Sequence, residues 1–319
     1  MDGFAVRAAD TFGAEELEPL TLAVTETGLA AGQAPPEGFE LEAGSAMPIA
    51  TGGVIPRGAD AVVMVEHTEP GPDGIRVSRA SVPGGNISFA GSDVGRGEVI
   101  IRRGVRLTAR ETGVIASVGV DTVAVFRRPK VAVVSTGDEI VPPGNPLAVG
   151  QVYDSNQRIL LDSIAELGCE PIACGVVADD ERALVEVLLP LIDGPDRADV
   201  VLMSGGTSKG EGDLNAAVTA RLASRAPESP GIVVHGVALK PGKPICLAAS
   251  GGKPVVVLPG FPTSAIFTFH EFLAPVIRRL GGRAAGTRQT LRAKMAVKVN
   301  SEVGRTEYLL VGLFQRSVA

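Results

Sequence analysis

The rhythm of apolar and polar positions changes along the chain, and each change predicts a different kind of structure. Over residues 1–96 the apolar runs are short. MDGFAVRAAD opens with a turn and a short strand, and LTLAVTETG (20–28), GADAVVMVEHTE (58–69) and GIRVSRASV (74–82) read as strands bounded by glycine or proline. Strands this short and numerous predict a small barrel or sandwich, a β-rich domain spanning 1–96. Residues 97–126 read as a linker. VRLTARETGVIASVGV has helical spacing up to Gly119, and VAVFRR reads as an edge strand before the boundary at Arg128-Pro129.

From 127 to 282 strands and helices alternate. KVAVVSTGDE is a strand running into a glycine loop. SNQRILLDSIAELG is an amphipathic helix with Ser155 as its cap and Ile159, Leu160, Ser163, Ile164 and Leu167 on one face. EPIACGVVADD is a strand, and Asp179 or Asp180 caps the helix ERALVEVLLPLI. DVVLMSGG is a strand, followed by a glycine-rich loop and a helix from about Asp213 to Ala223. IVVHGVAL and KPVVVLPG are strands, and a last helix starts near Pro262. This alternation predicts an α/β sandwich with a mostly parallel sheet covered on both faces. Residues 283–319 read as two strands, TLRAKMAVKVNSEVG and TEYLLVGLF, the start of a further β domain cut short. The fold class is therefore multidomain α/β plus β.

Composition narrows the function. With 30 Lys and Arg against 36 Asp and Glu the net charge is -6, and no Trp occurs. That balance argues against a nucleic-acid surface built on basic charge and stacked rings. Three cysteines, Cys169, Cys174 and Cys246, with no CxxC pair, point to a reducing cytoplasm. Apolar runs are too short for a membrane helix.

Three loops after apolar strands carry the candidate chemistry. They are Ser135-Thr136-Gly137-Asp138-Glu139, Ser204-Gly205-Gly206-Thr207-Ser208-Lys209-Gly210-Glu211-Gly212-Asp213, and Leu258-Pro259-Gly260-Phe261-Pro262-Thr263-Ser264. Ligands of open α/β sheets collect at the carboxyl ends of strands, where strand order reverses. In the second loop, glycines let backbone N–H groups approach a phosphate, hydroxyls add donors and Lys209 adds charge. A tight turn with a solvated lysine is the plainer reading of that loop alone. Asp138 and Glu139 can hold Mg²⁺ against phosphate oxygens or be a solvated turn. Lys240-Pro241-Gly242-Lys243-Pro244 can clamp an anion or be a solvent-facing hairpin. His67, His235 and His270 lack zinc-ligand spacing.

Seven blocks in order now carry a resemblance. MDGFAV, Ile49-Ala50-Thr51-Gly52 with Pro56 to Glu66, Gly85-Asn86-Ile87 through Gly91-Ser92-Asp93, STGDE, SGGTSKGEGD, KPGKP and LPGFPTSA resemble the motifs of molybdopterin molybdenumtransferases. The resemblance spans residues 1–316. It implies an elongated four-part subunit acting as a homodimer, with residues 97–126 the remnant of a helical dimerisation domain. It also implies an α/β domain like that of the separate adenylyltransferase for molybdopterin, and contact with that enzyme. The implied reaction takes adenylylated molybdopterin and molybdate, cleaves the pyrophosphate bond, releases AMP and places molybdenum on the dithiolene.

By motif, the resemblance implies catalytic roles for Asp2, Thr51, Glu66 and Asp93 on the β-rich side. On the α/β side it implies them for Glu139, Asp179, Asp213, Lys240 and Lys243. Mg²⁺ is expected on Glu139, Asp179 and Asp213. Substrate contacts are expected from Thr136, Gly137, Ser204, Gly205, Gly206, Thr207, Ser208, Gly210, Pro259, Gly260, Pro262 and Ser264. Phe4, Lys209 and Phe261 depart from the commoner Tyr, Val and Asn of the family. An adenylyltransferase acting one step earlier, and a non-catalytic truncated pterin-binding scaffold, are the alternatives. The family's leading helical segment and longer last β domain are expected beyond the two ends.

Overall fold

The computed structural model describes residues 2–194, 197–205, 214–225, 229–283 and 289–314. The chain divides into two compact units, Met1–Ile100 and Ile101–Ala319. The first boundary thus falls four residues later than the expected 96, because the irregular segment after the last strand packs with the β unit.

Unit 1 contains β1 (Gly3–Val6), β2 (Leu20–Val24), β3 (Ser45–Ile49), β4 (Ala61–Met64), β5 (Thr68–Gly71) and β6 (Gly74–Val77). They form one open sheet in the order β4-β1-β3-β2-β6-β5 rather than a closed barrel or a two-sheet sandwich. Only β2 and β3 pair in parallel; the other neighbours are antiparallel. Alternation along each strand sends side chains to opposite faces. In β1, Val6 joins Leu22, Val63 and Val77, whereas Ala5 joins Met47, Ile49 and Val62. β3 was not foreseen from the pattern, because SAMPI contains a proline and only five residues.

Unit 2 opens with α1 (Ala109–Ser117), started by a capping box in which Thr108 and Glu111 satisfy each other's end of the turn. No residue of α1 is buried. The edge strand expected at VAVFRR does not form, and Val123, Val125 and Phe126 stay exposed. A strand needs a neighbour to accept its hydrogen bonds, and among the described residues none lies alongside.

The rest of unit 2 comprises β7 (Lys130–Thr136), β8 (Ile140–Val141), β9 (Val152–Tyr153), α2 (Ser155–Glu166), β10 (Glu170–Val177), α3 (Glu181–Asp193), β11 (Val200–Ser204) and α4 (Leu214–Ala223). These are followed by β12 (Gly231–His235), β13 (Leu239–Lys240), β14 (Cys246–Ser250), β15 (Lys253–Leu258), α5 (Pro262–Thr268), a π turn (Phe269–Leu273), α6 (Ala274–Leu280) and β16 (Thr306–Glu307). Asp154, not Ser155, caps α2, its carboxylate accepting from the Gln157 N–H at 3.0 Å. Asp180 caps α3 in the same way.

The main sheet runs β10-β7-β11-β15-β14-β12, parallel through the first four strands and antiparallel in the last two. Its two faces are written in strand alternation. Val131, Val133, Val200, Leu202, Val256 and Leu258 pack on α2, α5 and α6 through Leu160, Ile164, Phe269 and Ile277. Ala132, Val134, Val201, Met203, Val255 and Val257 pack on α3 and α4 through Leu184, Leu188 and Leu222. Full burial of each such side chain contributes roughly 1.5–3 kcal/mol. The two strands expected beyond 283 do not form a separate β unit. Among the described residues only β16 appears there, beside β13.

Candidate active site

In unit 1 the backbone ladder brings Asp2, Thr51 and the turn bearing Glu66 together. Gly3 pairs with Ile49 on one side and Met64 on the other. Glycine is required, since a Cβ there would run into the Val63 carbonyl oxygen. Asp2 therefore emerges between the ends of β3 and β4. Its Oδ1 accepts from the Thr51 N–H at 2.8 Å and from the Thr51 hydroxyl at 3.0 Å. These two bonds, backbone first, hold the exposed carboxyl below the usual range, favouring the anion. The Val65 N–H donates to the Asp2 carbonyl at 3.1 Å, and Glu66 follows on the short 3₁₀ turn Val65–His67 with its side chain exposed. Asp93 lies exposed in the irregular stretch after β6 and, among the described residues, makes no hydrogen bond to this group.

In unit 2 the strand ends that enter the three predicted loops lie side by side. The chain leaves β7 through α2 to β10 on one side, then returns through α3 to β11 on the other, so strand order reverses between β7 and β11. At this reversal Ser204 pairs with Ser135 and with Leu258. Gly205 has φ +118, and a Cβ there would run into the Thr136 carbonyl oxygen. Gly260 comes so close that an added Cβ would lie 3.6 Å from the Gly205 Cα. Pro259 is buried, Gly260 is exposed, and Pro262 begins α5, in which Ser264 accepts from Thr268 through its carbonyl. Gly206, Thr207, Ser208, Gly210 and Asp213 lie outside the described residues.

Two asparagines below these loops were not singled out from the sequence. Asn156 Nδ2 donates to Ser204 Oγ at 2.9 Å and to the Gly260 carbonyl at 2.7 Å. Asn215 Nδ2 donates to Thr136 Oγ1 and to the Gly205 carbonyl, both at 2.8 Å. Asn156 had a legible signal. Asn156, Leu160 and Ile164 recur every four residues on the buried face of α2, so a polar residue sits at a core position.

Beside the β7 loop, Asp138, Glu139 and Asp179 come together. The Asp179 N–H donates to Asp138 Oδ1 at 3.2 Å. Partial burial first, and then the charges of Asp138 and Glu139, push the Asp179 carboxyl above the usual range. Oxygen donors whose charges repel one another suit a hard divalent cation, which relieves that repulsion. Among the described residues no three such groups close to metal-ligand distance. The third expected ligand, Asp213, is outside them.

The two lysines of the KPGKP turn have different surroundings. Lys243 is exposed. Lys240 already pairs with Glu302 and Glu307, both at 3.3 Å, and these carboxylates raise its pKa, Glu307 first. β16 brings Glu307 opposite Lys240 by pairing in parallel with β13, and Tyr308 stacks on Phe267 of α5 at 5.6 Å.

Comparison with known proteins agrees with this arrangement. Residues 1–119 match the family described as the MoeA N-terminal region, domains I and II, and residues 132–279 match a probable molybdopterin binding domain. The molybdopterin molybdenumtransferase of Nostoc is 36% identical over 90% of this chain, which spans 64% of that relative. The Haemophilus influenzae enzyme of the same name is 34% identical over 97% of this chain and 72% of its own length. The crystal structure of a molybdopterin biosynthesis protein from Pyrococcus horikoshii superposes with a TM-score of 0.73 at 41% identity, covering 89% of this chain and 68% of that one. With such relatives along nearly its whole length, the chain belongs to the molybdopterin molybdenumtransferase family.

Proposed function

We propose that this protein transfers molybdenum from molybdate to adenylylated molybdopterin, with release of AMP. The observation that carries the reading is that the strand ends entering three polar segments adjoin at the strand-order reversal of the main sheet, in a chain of this family. Phosphoanhydride cleavage depends on charge neutralisation and orientation more than on a strong base. The β11 and β15 loop ends present glycine backbone to an anion, and exposed Lys243 supplies positive charge. Glu139 and Asp179, with Asp213, are the residues that would hold Mg²⁺, which when bound neutralises anhydride oxygens. Asp2, kept anionic by Thr51, orients a donor group of the substrate. Either a molybdate oxygen or water attacks the anhydride.

The remaining parts of the reading concern context. A homodimer is supported by the exposed apolar residues around α1, among them Val114, Val118 and Val120. Contact with the adenylyltransferase fits a substrate handed on as an adenylylated intermediate. Three cysteines with no CxxC pair suit a reducing cytoplasm, and among the described residues no helix is long and apolar enough to cross a membrane.

The test supplies adenylylated molybdopterin to the purified protein and follows AMP release with and without molybdate. Molybdate-dependent release is expected, and it should vanish in Asp213→Ala while pterin binding persists. Equal release without molybdate, or none with it, overturns the reading.

A further inference from the structure

A reaction at three loop ends requires that they keep a fixed separation, and the loops are joined from below by two buried amides. We propose that Asn156 and Asn215 are positioning residues that lock the ends of β7, β11 and β15 together from opposite faces of the sheet. The inference rests on reading this edge as the reacting site.

Each side chain spends its two N–H groups on two different loops. Asn215, from the α4 face, ties Thr136 at the end of β7 to Gly205 after β11, at 2.8 Å each. Asn156, from the α2 face, ties Ser204 of β11 to Gly260 after β15, at 2.9 and 2.7 Å. Ser204 and Gly205 are adjacent, so the two amides make one continuous clamp from β7 through β11 to β15. Both are buried, at 8% and 1% exposure. Among the described residues neither Oδ1 finds a hydrogen-bond partner, so each amide is arranged around what it donates rather than around its own satisfaction. A residue serving only to fill a helix core would be apolar here, as Leu160 and Leu222 are on the same helices.

The clamp also sets the direction of a donor. Across a trans peptide the N–H points opposite to the preceding carbonyl. Holding the Gly260 carbonyl inward on Asn156 therefore turns the Phe261 N–H outward, away from α2. That donor faces the edge where an oxyanion of the substrate is to be held. Placement errors of about 1 Å at such an edge cost roughly a hundredfold in rate.

The test uses the full protein with adenylylated molybdopterin and molybdate. Asn156→Leu and Asn215→Leu keep the branched outline without donors, and Asn156→Asp and Asn215→Asp keep the shape while facing oxygen toward a backbone carbonyl, of Gly260 or of Gly205. A fall in kcat of about 10- to 100-fold is expected in each, with KM for both substrates within about threefold of wild type. Hydrogen exchange at the Phe261 amide should quicken in the Asn156 variants while amides in the middle of β7 and β11 keep their protection. The Asp variants carry the test if a Leu variant does not fold. Folded variants that turn over within about twofold of wild type, or that lose rate only in proportion to lost folded protein, overturn the proposal. A wild-type protein that releases no AMP overturns the functional reading, and the proposal falls with it.

Discussion

The two units hold their candidate chemistry by opposite means. In unit 1, Asp2, Thr51 and Glu66 are exposed side chains placed by the register of an antiparallel ladder, and Asp2 is fixed by only two bonds to Thr51. Unit 2 also carries exposed side chains, Glu139, Asp179 and Lys243, but its backbone donors are loop ends resting on a buried polar floor of Ser135, Thr136, Ser204, Asn156 and Asn215. The contrast follows from what each presents. A side chain at a strand end needs only correct register, because rotamers do the rest. Backbone donors have no rotamers, so their direction must be set by groups beneath them. Unit 2 should therefore be far less tolerant of changes under its site than unit 1 is of changes within its own.

The sharpest way to break this comparison is at the glycines. Gly205→Ala forces a Cβ into the Thr136 carbonyl at a φ that L residues rarely adopt. It should lower stability on the order of 3 kcal/mol and reduce AMP release more than a hundredfold. Gly3→Ala meets the Val63 carbonyl and should be comparably damaging, since it destroys the register on which Asp2 depends. Thermal unfolding and turnover measure both. A tolerated Gly205→Ala would remove the case for a rigid floor.

Next come the lysines. Lys243→Ala should weaken use of the anionic substrate about tenfold, seen as a higher KM for molybdate or for the pterin. Lys240→Ala should do more to the segment around β16, because it leaves Glu307 without its lysine counter-charge and Glu302 with Arg305 alone. Hydrogen exchange across 302–308 separates the two effects. Identical behaviour of both variants would mean that the carboxylates do not hold Lys240.

Asp2→Asn sharpens the unit 1 side. The amide still accepts from Thr51, so the thermal midpoint should stay within about 1 °C of wild type. Turnover should fall roughly tenfold if the negative charge is used. A large loss of stability would show that Asp2 is structural.

The smallest effect is expected at the end of β11 opposite the loops of unit 2. Asp199 accepts from Arg127 twice and from the Lys130 N–H, each at 2.7 Å, and these bonds, the Arg127 ones first, hold its carboxyl below the ordinary value of 3.8. A lowered pKa means that the stabilisation is present above the ordinary value and is lost as pH falls through the lowered one. Asp199→Asn should cost below about 1 kcal/mol near neutral pH, because solvent screens the pair. Urea titration should find that cost shrinking at acid pH. A cost independent of pH would assign it to packing.

The sequence by itself determined the α/β class of unit 2, its helices and five of its six main strands, because continuous apolar runs and capped amphipathic helices are local signals. It also placed the three loops after strand ends, and the ordered motifs pointed to the family. It did not reveal β3 or β14, whose short segments lack strong alternation, nor did it reveal that VAVFRR and the stretch after 283 would remain largely unpaired. Strand formation is decided by a partner elsewhere in the chain, and local pattern carries no information about whether that partner arrives. Only the tertiary structure decided that Lys240 meets Glu302 and Glu307, that Asp179 meets Asp138 and Glu139, and that Asn156 and Asn215 join three loops. These contacts span up to 104 residues of chain, and their geometry depends on strand order across the sheet rather than on neighbours in sequence.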